Sequence, residues 1–98
     1  MTIEKYAENE KLTLKISGRL DTTKAPDLEK EIGDSLEGVE ELVMDMEGLE
    51  YISSAGLRVI LKAQKQMNTQ GSMKLVNVND SVLEVFDITG FIDILTIE

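Results

Sequence analysis

Apolar positions along this chain alternate between two periods. Ile3 to Tyr6 reads as a short strand, followed by a polar turn at Glu8-Asn9-Glu10. Leu12, Leu14 and Ile16 then alternate with Thr13, Lys15 and Ser17. That period of two marks a strand with one face buried. Gly18 and Arg19-Leu20-Asp21 are expected to end it, and Thr22-Thr23 to cap a helix that tolerates Pro26 in its first turn. Ala25, Leu28, Ile32 and Leu36 recur at helical spacing, with Gly38 as the stop. Leu42-Val43-Met44-Asp45-Met46 is apolar on consecutive positions, as expected for a strand covered on both faces.

A second helix opens at Ser53 or Ser54, with Leu57, Ile60, Leu61 and Met67 on its inner face. Thr69-Gln70-Gly71 breaks it before a strand over Met73–Val78. Asn79-Asp80-Ser81 caps a shorter helix bearing Val82, Val85 and Phe86, and Gly90 terminates it. Ile94 to Ile97 is the last short strand candidate. Strands alternating with helices imply an α/β fold with parallel crossovers. The expected architecture is one domain over residues 1–98. Its mostly parallel mixed sheet has four or five strands, an N-terminal antiparallel pair, and helices after the second, third and fourth strands.

Composition removes many functions. Ninety-eight residues allow one core. No apolar run reaches the ~18 residues of a membrane span, and Met1-Thr2-Ile3-Glu4-Lys5 has no leader pattern. A cytoplasmic location and no membrane contact are therefore expected. A net charge of −9 argues against direct nucleic-acid binding, because phosphate contacts need a basic surface. Glu31 to Leu57 and Leu75 to Glu98 contain no Lys or Arg. An acidic surface of this kind serves as a solvated face or as a docking face for a basic partner. Arg58, Lys62 and Lys65 form a basic stripe after the serines.

The run Tyr51-Ile52-Ser53-Ser54-Ala55-Gly56-Leu57 is the richest in chemistry. A hydroxyl-rich turn at a strand-to-helix junction puts serines near free backbone N–H groups. Each serine is a nucleophile, a phosphate acceptor or a plain helix cap. Catalysis within one chain is disfavoured. The chain has no histidine and no cysteine, so a Ser-His-Asp arrangement is impossible. It has no phosphate-cradling glycine loop, and its carboxylates lack calcium-loop spacing. No enzyme, cofactor or metal is expected. Open α/β sheets bind ligands beyond the carboxyl ends of their strands. If the two strands ending at Asp21 and before Ser54 are neighbours, those residues share one rim.

Four stretches carry a family resemblance: Gly18-Arg19-Leu20-Asp21, Leu42–Met46, Tyr51–Leu57 and Ile88-Thr89-Gly90-Phe91. In order and spacing the chain resembles a STAS domain of the bacterial anti-sigma-factor antagonist type. The resemblance implies a partner-switching protein, a monomer when free. It would bind an anti-sigma factor that is also a serine kinase and so release a sigma factor, until phosphorylation ends binding and a serine phosphatase restores it. The implied acceptor is Ser54, two positions before Gly56. The family usually has Asp before the acceptor; Ser53 stands there instead and is a secondary acceptor candidate. Asp21 matches the family's rim aspartate. The partner-binding candidates are Asp21, Thr22, Thr23, Ser53, Ser54, Ala55, Gly56 and Arg58. The alternative use of the fold is as a subunit of a stress-signalling assembly or a lipid-transport complex.

Overall fold

The structure, a computed structural model, describes residues 1–98. Its elements are β1 (Thr2–Glu8), β2 (Lys11–Leu20), α1 (Ala25–Ser35), β3 (Glu41–Ile52), α2 (Ser54–Gln70), β4 (Ser72–Val76) and α3 (Asp80–Thr89). A 3-10 turn at Phe91–Asp93 follows. The four strands lie in the order β1-β2-β3-β4. β1 runs antiparallel to β2, and the remaining pairs are parallel. The expected α/β architecture is the observed one. Asn9, at φ 56, takes the left-handed conformation in the β1–β2 turn.

Register builds the core. Leu12 pairs with Leu42 and Leu42 with Met73; Leu14 pairs with Met44 and Met44 with Leu75. All six are buried, within one cluster that also takes in Leu28, Ile32, Ile60, Met67, Val82 and Phe86. Met44, Met46, Met67 and Met73 are buried there as flexible filler. Successive parallel strands advance in one direction across the sheet, so right-handed crossovers stack the helices on one face. Thr13, Lys15, Asp45, Lys74 and Val76 alternate with the core residues, and none of them is buried.

Several boundaries differ from the expectation, each for a physical reason. β3 does not stop at Met46 but continues to Ile52. Two register shifts against β2 hide this from a period-two reading. Lys15 and Ser17 oppose Asp45 and Gly48, and Gly18 and Arg19 oppose Leu49 and Tyr51. Each shift adds one residue to β3 and breaks the alternation. At the first shift, a Cβ on Gly48 would stand 2.5 Å from the Ser17 Cβ. Gly18, at φ 88, therefore lies inside β2 rather than at its end. Val43 is buried although only one face carries helices; it lies in register between Thr13 and Lys74, so flanking strands enclose it.

Gly90 ends α3 in the left-handed conformation, as expected. β4 ends at Val76, and Asn77, at φ 57, turns the chain away. The expected last strand is reduced to one bridge, in which Ile97 pairs with Leu75. Glu98 N–H donates to the Leu75 carbonyl at 2.9 Å, and Leu75 N–H donates to that of Thr96 at 2.9 Å.

Candidate functional site

β2 and β3 are parallel neighbours that finish together, with Leu20 opposite Ile52. Ser53 N–H donates to the Leu20 carbonyl at 2.9 Å. This bond fastens the entrance of α2 to the end of β2 and brings the Asp21 corner beside the serines. Only Ser53 separates β3 from α2. The segment between Met46 and Ser53, outside the strand expected from the sequence, is therefore strand to Ile52.

The two serines have different environments. Ser53 is the N-cap of α2: its hydroxyl oxygen accepts from Gly56 N–H at 3.2 Å, and the residue is buried. Ser54, one residue on, is exposed, and its hydroxyl takes part in no internal hydrogen bond. Gly56 is buried, and nothing larger fits there. A Cβ there would lie 2.7 Å from Leu20 Cγ and 3.1 Å from Ile52 Cγ1. The missing side chain lets the first turn of α2 close onto the ends of both strands.

Asp21 is half-buried, and one of its carboxylate oxygens is heavily engaged. Its Oδ1 accepts from the Thr23 hydroxyl at 2.7 Å, from Thr23 N–H at 3.1 Å and from Lys24 N–H at 3.0 Å. Its backbone carbonyl accepts from Ala25 N–H at 2.9 Å. Thr22 and Thr23 therefore do not cap α1. The N-cap position falls on Lys24, which has no side-chain cap, and the Asp21 turn supplies the acceptors instead. The Thr23 hydroxyl bond, the two backbone N–H bonds and the charge of Arg19 hold the Asp21 pKa below its ordinary value.

Thr22, Ala55 and Arg58 line one groove of about 290 Å³ between α1 and α2, together with Ala25, Pro26, Glu29, Val59 and Lys62. Of the eight candidate partner-binding residues, Thr22, Thr23, Ser54 and Arg58 are exposed. Ala55 and Asp21 are half-buried, while Ser53 and Gly56 face inward. A larger depression of about 590 Å³ lies at the opposite end of the sheet. Its walls are Glu8, Asn9, Glu10, Lys11, Glu40, Glu41 and Ser72, with no hydrophobic side chain among them to drive binding. No cluster of three or more acidic side chains is placed to hold a metal ion. No helix is long and apolar enough to cross a membrane.

The rim also contains a pair that the sequence reading passed over. The Arg19 guanidinium carbon lies 4.2 Å from the centroid of the Tyr51 ring. The two residues are register partners across β2 and β3. Only the shifted register makes them partners, so residue spacing along the chain carried no signal for it.

A family model described as the STAS domain matches residues 2–98. The chain is 38% identical over 84 residues to the Bordetella bronchiseptica protein BtrV, whose name describes an anti-sigma factor antagonist; this covers 84% of the chain and 72% of that protein. It is 33% identical over 94 residues to the anti-sigma-B factor antagonist of Bacillus subtilis, covering 95% and 85% respectively. Its fold is similar to that of the anti-sigma factor antagonist SpoIIAA in unphosphorylated form, with a TM-score of 0.85 and 18% identity. That superposition covers 99% of this chain and 88% of the other. The phosphorylated form of Bacillus SpoIIAA gives a TM-score of 0.78 at 17% identity, covering 99% and 91%.

Proposed function

The chain belongs to the STAS domain family, and on that premise we propose that it is an anti-sigma-factor antagonist acting by partner switching. Its unmodified form binds an anti-sigma factor that is also a serine kinase, and a sigma factor is released. Phosphorylation of Ser54 ends the binding, and a serine phosphatase restores it. The protein works in the cytoplasm, as a single STAS domain over residues 1–98 that is monomeric when free. It is a binding module and not an enzyme. The names of its Bordetella and Bacillus relatives support this reading, as does the existence of SpoIIAA in phosphorylated and unphosphorylated forms.

The observation that carries the proposal is the contrast between the two serines. A phosphate acceptor must offer a free hydroxyl to an incoming kinase. Ser53 is buried and its oxygen is occupied by Gly56 N–H. Ser54 is exposed and unbonded. In the transfer, Ser54 Oγ attacks the γ-phosphorus of ATP, and a new O–P bond forms as the bond to the departing ADP oxygen breaks. The hydroxyl proton passes to a carboxylate base on the kinase.

Asp21, Thr22, Thr23, Ala55 and Arg58 complete the docking surface around Ser54, while Ser53 and Gly56 support it from beneath. Phosphoserine adds about −1.5 to −2 charge. In a packed interface beside Asp21 that charge is repelled and costly to desolvate. A penalty of ~3 kcal/mol weakens binding roughly a hundredfold. Phosphopeptide mapping after incubation with the cognate kinase and ATP tests the assignment. Label on Ser54 is expected; label confined to Ser53 or to a threonine such as Thr22 refutes it.

A further inference from the structure

Carboxylate residues outnumber basic ones in this chain by 19 to 10. Five ion pairs join Lys5 to Glu31, Lys11 to Glu41, Lys30 to Asp34, Lys62 to Glu29 and Lys74 to Glu98. Arg58 takes part in none of them. It lines the groove between α1 and α2, whose single carboxylate, Glu29, is held by Lys62 at 3.7 Å. Arg58 is exposed. Of the five cations outside these pairs, Lys15, Arg19, Lys24, Arg58 and Lys65, only Arg58 lines this groove.

The helix places that guanidinium within reach of Ser54. The two residues are four apart in α2 and so lie one above the other on the same face. Long side chains in a helix lean toward its N-terminus, which is the direction of Ser54 from Arg58. An acidic group four residues before a basic one is also the favourable order along a helix. The Ser54 hydroxyl has no competing internal partner. Arg19 is committed to the Tyr51 ring, and Lys24 stands on a different element, at the entrance of α1.

We propose that Arg58 holds the phosphate of phosphorylated Ser54 within the same molecule. This rests on the reading of Ser54 as the acceptor. The planar guanidinium gives two parallel N–H donors to two phosphate oxygens. Capture has a second consequence. The cation that lines the groove beside Thr22 and Ala55 in the unmodified protein is drawn onto the phosphate. Phosphorylation then changes the docking surface twice, by adding an anion at its rim and by removing a cation from its groove.

The test needs neither kinase nor partner. The full chain is prepared with phosphoserine installed at position 54, and its 31P signal is titrated. Unperturbed phosphoserine has its second pKa near ~6. The wild-type value is expected to lie below that, and Arg58→Gln to raise it by roughly 0.3 unit. Arg58→Lys is expected to give an intermediate value, because an ammonium lacks the fork. Lys65→Gln removes the same charge at about 16 Å along the helix from Ser54, beyond the ~8 Å screening length, and is expected to leave the titration unmoved. Identical curves for wild type and Arg58→Gln, both folded by circular dichroism, overturn the proposal; so does an equal rise in Lys65→Gln. Failure here leaves Ser54 as acceptor. Phosphopeptide mapping that misses Ser54 removes the acceptor while leaving this titration valid.

Discussion

At the end of the sheet where the parallel strands finish, Ser54 keeps a free hydroxyl and Arg58 an unpaired charge beside a partly apolar groove. At the end where they begin, backbone closes on backbone. Glu40 N–H and Glu41 N–H both donate to the Glu10 carbonyl, at 2.8 and 3.1 Å, and Ser72 N–H donates to that of Glu40 at 2.9 Å. Gln70 Nε2 reaches the carbonyls of Leu36 and Val39, at 2.7 Å each. Glu8, Glu10, Glu40 and Glu41 surround this end; the first three are exposed, and Glu41 pairs with Lys11. Three chain entries converge there, and their bonds hold the strand register. The finishing end has a different division of labour. Asp21 Oδ1 and the Ser53 hydroxyl oxygen accept the bonds that fix the corners, while their neighbour Ser54 stays free. An exposed, unbonded side chain follows directly on a buried, occupied one.

The sharpest way to break this comparison is at the closed end. A Cβ on Gly71 would lie 1.9 Å from the Glu40 carbonyl oxygen, which is backbone and cannot rotate away. Gly71→Ala is expected to lose at least about 2 kcal/mol in urea denaturation. Gly33, inside α1, has nothing within 4 Å of its would-be Cβ, so Gly33→Ala should gain about 0.5–1 kcal/mol. A Gly71→Ala protein as stable as wild type would show that the closed end yields easily.

The open end should respond in binding rather than in stability. Against the cognate anti-sigma factor, phosphorylation of Ser54 is expected to weaken affinity roughly a hundredfold by titration calorimetry. Ser54→Asp should weaken it less, because aspartate carries less charge and fewer oxygens. Ser54→Ala should bind like the unmodified protein and resist phosphorylation. Equal affinities for wild type and Ser54→Asp would remove the electrostatic switch from this position.

A smaller effect separates the adjacent serines. Ser53→Ala removes the α2 cap and should cost about 1 kcal/mol. Ser54→Ala removes no internal bond and should stay within about 0.5 kcal/mol of wild type. Equal losses would mean that both hydroxyls serve the fold.

The smallest effect concerns pH. Hydrogen bonds from Thr23 and Lys24 depress the Asp21 pKa. A carboxylate depressed in the folded state adds stability above its unfolded value of about 3.9. That contribution fades as the pH falls through the folded value. Asp21→Asn should therefore melt slightly below wild type at neutral pH, and the gap should close as the pH drops below about 4. A gap of constant size across that range would assign the difference to packing instead of charge.

Local pattern carried most of the architecture. Leu12, Leu14 and Ile16 declared a strand, Leu28 and Ile32 a helix, and Asn79 and Gly90 the two ends of α3, because periodicity and caps act over a few residues. The motif through Ser54 and Gly56 placed the candidate site, and the lack of histidine and cysteine excluded a triad. Tertiary structure decided the rest. The length of β3 depends on two shifts that exist only opposite β2. The Arg19–Tyr51 pair follows from the same shifts. Which serine is occupied, and whether Arg58 finds a carboxylate, depend on where α1 and α2 come to rest. A local sequence window records what each residue prefers. Whether a group is paired or left free depends on partners that only folding brings beside it.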